Sequence, residues 1–475
     1  MSFLQPHHRL GHWFSVLASA LDPRSAPRLA RLFVGALLAK GRRTVTSWIR
    51  AAGLQAEFRP AYHTVAAAGR RAERIATRLV LRVLRPLLGT MDRLVLALDD
   101  TPTPRYGPMV QGAGVHHNPC PGPAGGPFVY GHVWVVLGLL AAHPAWGVVA
   151  LPLLARLYVR RKDLAGIDPP HRPAFATKLE LAVGLVRWAK TWLGLLGKPV
   201  WVVADGAYAK APLLKPLAAM GVVVVSRSRM DAALRDVPAP RPGQRGRPRK
   251  YGANRVELAK RAGQRRGWRT EALTLYGKGV TKRYKTFEAT WRPAGGRIRV
   301  VLVDEPTGWV AFFCTDPGAS VADVLGLVAG RFSLETAFRD VKEIVGAGRQ
   351  QVRRVRASVG SFHLCLWTFT LTEAWAWDRG ESGLVGHRLA SPWDDPDRRA
   401  RHADKRRSPG IPGRGNPRGS TGRGRSSRNS RPRRTTARSG RLIDRLSRKV
   451  QIEYSVVLCG LRACRRSLND GVNRV

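Results

Sequence analysis

Residues Leu94–Thr101 read LVLALDDT, and the fold follows from how that octapeptide is understood. Five aliphatic residues in succession, ended by two adjacent carboxylates, predict a short strand buried on both faces. Asp99 and Asp100 then stand at the C-terminal end of an interior strand, where open α/β sheets place ligands and chemistry. Successive side chains of a strand point to opposite faces, so the two acids diverge and only one of them faces any given site.

Working outward, two further acids are presented in related ways. Asp205 ends a second apolar strand, in PVWVVADGAY (Pro199–Tyr208), and Glu335 lies in a helical stretch, RFSLETAFRDVK (Arg331–Lys342). On an α-helix Arg331, Glu335, Phe338 and Lys342 fall at spacings of four, three and four, and share one face. Taken alone, that face reads better as a surface ladder of ion pairs. Three carboxylates from well-separated segments are, however, what a site for two divalent metal ions requires.

Between these acids the pattern alternates. After the first strand come a Gly/Pro-rich loop (Thr101–Pro127), two apolar strands around Tyr130–Ala141 and Gly147–Val159, and a helix over Pro173–Gly194. The strand Pro199–Asp205, a helix over Ala209–Met220 and a strand over Gly221–Ser226 follow. The later crossovers predict parallel pairing and the first three strands a meander. The expected class is α/β, a ribonuclease-H-like mixed sheet with a β-rich insertion, a helical N-terminal domain and a disordered basic tail. Expected boundaries are 1–90 for the helical, DNA-binding segment, 91–230 for the first part of the core, 231–320 for the insertion with its basic loop, 321–380 for the core's C-terminal helices, and 381–475 for the tail. The apolar segment Phe128–Val159 is interrupted at Ala142-His143-Pro144-Ala145-Trp146-Gly147, which favours a hairpin over a membrane span.

Charge narrows the class of partner. Lys+Arg number 81 against 32 Asp+Glu, a formal net charge of +49. Self-repulsion of that size works against compactness unless a polyanion is bound, which points to nucleic acid before an anionic membrane. The loop Pro238–Arg255 carries Arg245-Gly246-Arg247-Pro248-Arg249-Lys250, whose Arg-Gly-Arg-Pro core resembles an AT-hook that places arginines in a narrow minor groove. The five cysteines, Cys120, Cys314, Cys365, Cys459 and Cys464, form no CxxC pair. With no signal-peptide layout they fit reduced thiols in a cytoplasmic, nucleoid-associated protein, and they argue against a zinc finger.

The stretches LALDDTPTPRYG, VYGHVWVVL, VVADGAY and RFSLETAFRDVKEIVG together resemble the DDE transposases of bacterial insertion sequences, specifically the group with a Tyr-Arg-Glu-Lys signature. Arg331, Glu335 and Lys342 fit its spacing, and Val328 stands where that group has tyrosine. The resemblance implies two Mg²⁺ ions, with Mn²⁺ as a substitute, held by Asp99 or Asp100 together with Asp205 and Glu335. It favours Asp100 as the ligand because that acid directly precedes Thr101. It further implies cutting and joining of double-stranded DNA at terminal inverted repeats and target, phosphate contacts from Arg331 and Lys342, and a homodimer on DNA ends. The alternative is a decayed transposase that only binds DNA.

Other features read more plainly. His116 and His117, near Cys120, lack a second ligand pair for zinc. His132 is expected as a satisfied core histidine, Trp367, Trp375 and Trp377 as packing, and Asp340 and Glu343 as solvated. Ser408–Gly440 holds almost nothing that could be buried. It reads as out-of-frame translation of GC-rich DNA or as a basic arm adding salt-sensitive affinity.

Overall fold

The computed structural model describes residues 6–118, 126–144, 146–239, 248–275 and 278–377. Arg245, Arg247, Cys120 and the whole tail from residue 378, with its expected disorder and frame change, lie outside the described residues.

The chain opens with helices α1 (Pro6–Ala18), α2 (Ala26–Leu38), α3 (Val45–Ala51), α4 (Phe58–Arg70), α5 (Ala72–Arg78) and α6 (Arg85–Gly89). Thr44 caps α3 by accepting from the Ser47 amide at 3.1 Å, and Gly53 turns the chain out of it at φ +64. The helix expected over His63–Leu88 is divided at Arg71 and again by a π-turn at Leu79–Val83. Pro86 in the first turn of α6 accounts for the second break, because a proline interrupts the preceding hydrogen-bond ladder and is at home only where a helix starts.

Next come β1 (Leu94–Pro104), β2 (Gly114–His117), β3 (Phe128–His143) and β4 (Gly147–Tyr158), then α7 (Lys178–Leu193), β5 (Val200–Ala204), α8 (Ala211–Ala219) and β6 (Val223–Arg227). The remainder is β7 (Leu234–Arg235), β8 (Arg255–Val256), α9 (Leu258–Gly263), β9 (Arg269–Leu275), β10 (Lys278–Trp291), β11 (Gly296–Glu305), β12 (Gly308–Cys314), α10 (Val321–Asp340) and α11 (Val355–Ala376). Phe128–Val159 is therefore a hairpin, and no helix among the described residues is long and apolar enough to cross a membrane.

One mixed sheet holds these strands in the order β2-β3-β1-β5-β6-β12-β11-β10-β7-β8, with β4 on β3 and β9 on β10. β1 is central. It pairs antiparallel with β3 from Val95↔Leu140 to Pro104↔Gly131, and parallel with β5 only from Leu94↔Val200 to Leu98↔Ala204. The expected strand ended at Asp99. β3 is long enough to hold β1 six residues further, past the end of β5. Pro102 and Pro104 fit there because one edge of β1 has lost its neighbour and a missing N–H is tolerated. The expected loop likewise contains β2, which β3 also recruits.

The antiparallel strands expected as a separate insertion continue the same sheet. β12 pairs antiparallel with β6, through Phe312↔Arg227 and Cys314↔Val225, and so covers what would be an open edge. Helix α10 lies across β1, β3, β4, β5 and β6, while α7 packs on β3, β4 and α8. Helix α11, nearly all buried, crosses α4 so closely that a Cβ on Gly360 would stand 1.8 Å from the Val65 carbonyl oxygen. Trp367 and His132 are core residues as expected. The Trp367 indole donates to the Leu153 carbonyl at 2.8 Å, and His132 accepts from Arg105 Nε at 3.1 Å.

Candidate active site

The acids sit where β5 stops. Leu98 pairs with Ala204, so Asp99 and Asp205 are the next residues on neighbouring parallel strands, at the carboxyl ends where the crevice between them opens. Asp205 begins a short 3-10 turn and fixes its own carboxylate by accepting from the Ala207 amide at 2.9 Å. Asp99 accepts from the Asp100 amide at 2.8 Å.

The next partner comes from α10. The Arg331 guanidinium binds the Asp99 carboxylate through one terminal nitrogen and the Glu335 carboxylate through the other, the latter at 2.9 Å. Glu335 lies one turn along the same helix, whereas Asp99 is 232 residues away in sequence. The ion pair therefore ties the third acid to the first. Asp99 is the deeper of the two, with 15 % of its side chain exposed against 42 % for Glu335.

Asp100 turns to the other face of β1 and pairs with Lys178, the first residue of α7, at 2.5 Å. This is the divergence that strand geometry requires, and it puts α10 and α7 on opposite sides of the sheet at this point. The Tyr208 hydroxyl is buried, and Asp100 is the carboxylate that acts on it most strongly. Burial raises the phenol far above its ordinary range, and repulsion from Asp100, Asp99 and Asp205 adds to this. Burial likewise pushes the Asp99 carboxyl up to about 7, opposed by Arg331 and the Asp100 amide and assisted by Asp100 and Asp205. Asp99, Asp100, Asp205 and Tyr208 thus act on one another at the end of β5.

The donors are hard oxygens only, crowded and partly desolvated. Their chemistry fits a divalent cation such as Mg²⁺. Among the described residues no three such groups already stand in ligating positions. Arg331 instead supplies the positive charge that Asp99 and Glu335 need.

Lys342 is not brought to the acids. The regular helix ends at Asp340, and a wider π-turn at Val341–Val345 follows, so the α-helical spacing that aligned Lys342 with Glu335 no longer applies. Lys342 lines a separate groove with Arg42, Arg105, Tyr106, Arg349 and Arg353. Burial pushes its ammonium down to about 8, and Glu343 pulls back. Arg249 and Lys250 are exposed, and Lys250 lies against Gly296 at the start of β11, with β6 and β12 between β11 and β5. Asp340 is paired with Arg339 at 3.0 Å and half-buried, where solvation was expected.

Lys178 and Tyr208 escaped the sequence reading. Tyr208 follows Asp205 by three residues, which was the available signal. Lys178 opens a helix with a Thr177/Glu180 capping box, and nothing local connects it to Asp100.

A family model described as DDE superfamily endonuclease matches residues 17–297, more than half of the chain, and ends before α10 and Glu335. No curated protein matches the sequence. With two strand-borne aspartates side by side at the mouth of the sheet, and the matched segment running through both, the chain belongs to the DDE superfamily endonucleases.

Proposed function

We propose that this protein is an insertion-sequence transposase that cuts and joins DNA at terminal repeats, with Asp99, Asp205 and Glu335 as its acidic triad. The observation that carries the reading is the coupling of all three: Asp99 and Asp205 adjoin on parallel strands, and Arg331 links Asp99 to Glu335. The order β4-β3-β1-β5-β6 supports a ribonuclease-H-like core. A net charge of +49 supports double-stranded DNA as partner, and a homodimer on paired DNA ends suits two cuts per element.

Asp99, Asp205 and Glu335 would hold two Mg²⁺ or Mn²⁺ ions, which when bound make a water or 3′-hydroxyl nucleophilic and stabilise the leaving oxygen. Asp99 is preferred to Asp100 here, because Asp100 is engaged on the other face by Lys178. Asp205 is held in place by the Ala207 amide. Arg331 orients Asp99 and Glu335 toward each other and, by its fork of donors, suits a non-bridging phosphate oxygen. Lys178 neutralises Asp100 and so limits the repulsion that Asp99 feels.

Asp205→Asn and Glu335→Gln are each expected to abolish Mg²⁺-dependent nicking of the element's terminal repeats while DNA binding persists. Cleavage retained by either variant removes that residue from the triad. Binding without cleavage in the parent protein would instead favour the decayed, DNA-binding form.

A further inference from the structure

The groove that takes Lys342 has a chemistry of its own. It encloses about 980 Å³ between the turn before α3, the end of β1 and the loop leading into α11. Five cations line it. Arg105 is satisfied internally, by His132 and by the Gln350 carbonyl. Among the described residues Arg42, Lys342, Arg349 and Arg353 have no carboxylate partner within ion-pair distance. Beside them stands Tyr106, 82 % exposed. A cation row with an unpartnered aromatic ring is the combination that binds a nucleic-acid strand, phosphates on the cations and a base on the ring. The volume is that of a site for one small ligand, which a few nucleotides of one strand match.

Position limits how far the groove lies from the acids. Tyr106 follows Asp99 by seven residues, and β1 runs most of that way. At about 3.3 Å per residue the two are at most roughly 23 Å apart, or about seven nucleotides at 3.4 Å per base.

The geometry points to this groove as a binding site for unpaired DNA a few nucleotides from the reacting phosphodiester, with Tyr106 stacking on a base and Arg42, Lys342, Arg349 and Arg353 on phosphates. It rests on the reading that DNA is the substrate, and extends the site beyond the triad.

The test uses the full chain, without metal, and a short oligothymidylate carrying 5-bromodeoxyuridine. Irradiation is expected to attach the oligonucleotide to the peptide that contains Tyr106. At elevated salt, where phosphate contacts fade and stacking persists, Tyr106→Ala is expected to weaken binding about tenfold. A blunt duplex of equal length is expected to compete poorly. Tyr106 is too exposed for its loss to threaten folding. Adducts that map only elsewhere, binding unchanged in Tyr106→Ala, or equal competition by the duplex would each overturn the assignment. Because no cleavage is read, failure of the triad in the nicking assay is a separate result.

Discussion

The acidic site and the basic groove lie on either side of the same strand end, yet they handle charge in opposite ways. In the first, Asp99, Asp100 and Glu335 are each met by a cation of this chain, Arg331 or Lys178. In the second, Arg42, Arg349 and Arg353 are exposed and Lys342 is part-buried, with no carboxylate at ion-pair distance from any of the four among the described residues. A desolvated carboxylate cluster must be neutralised for the strand ends to pack. Exposed guanidinium groups carry no such demand and can wait for an external anion. One region thus carries part of its own counter-charge, two cations to four carboxylates, and the other is lined by cations.

The contrast breaks most visibly if the acids serve only packing. Asp205→Asn and Glu335→Gln should lower the nicking rate by on the order of a thousandfold, because each removes several kcal/mol of charge stabilisation, with DNA affinity within about twofold of the parent. Affinity that falls along with cleavage would show that the acids and the groove are not separable.

Arg331→Ala addresses the internal balance. It leaves Asp99 partly buried without its cation, and an expected loss of roughly 2 kcal/mol should lower Tm by a few °C. Mg²⁺ should then raise Tm more in the variant than in the parent, since the ion need not compete with a guanidinium. Equal Mg²⁺ shifts in both proteins would mean that Arg331 does not stand in for a metal.

The groove is sharpened by salt. Arg349→Ala combined with Arg353→Ala should reduce the slope of log affinity against log salt by about 1.4 for a single strand, at roughly 0.7 per phosphate contact. An unchanged slope would mean that these arginines do not meet phosphates.

The smallest expected effect is in pH. Lys342 is held down to about 8 by burial, so its positive charge is full below that pH and lost above it. Oligonucleotide affinity should therefore decline as pH rises from about 7 to 9. Glu343 acts on the ammonium, and Arg42, Arg105, Tyr106, Arg349 and Arg353 line the same groove. Lys342→Met separates its part from theirs, and a decline that persists in this variant assigns the titration elsewhere.

Strands β1 and β5 could be read from composition, because an unbroken aliphatic run has few other places to go than the interior of a sheet. The acids at their ends were legible for the same reason. Lys178 was not, since its partner lies on β1, 78 residues earlier, and the pairing exists only once α7 is laid on the sheet. The extension of β1 to Pro104 was hidden by two prolines that usually end a strand. The alignment of Lys342 with Glu335 assumed α-helical spacing, which the π-turn at Val341–Val345 does not keep.

Local pattern by itself determined the apolar runs that become the central strands and the acids that follow them, because burial and hydrogen-bonding periodicity act over a few residues. Tertiary structure decided which charges meet. Arg331 answers to Asp99 as well as to Glu335, and Lys342 belongs with Arg42 and Arg353, because side chains find their partners across strands and loops whose spacing no local repeat records.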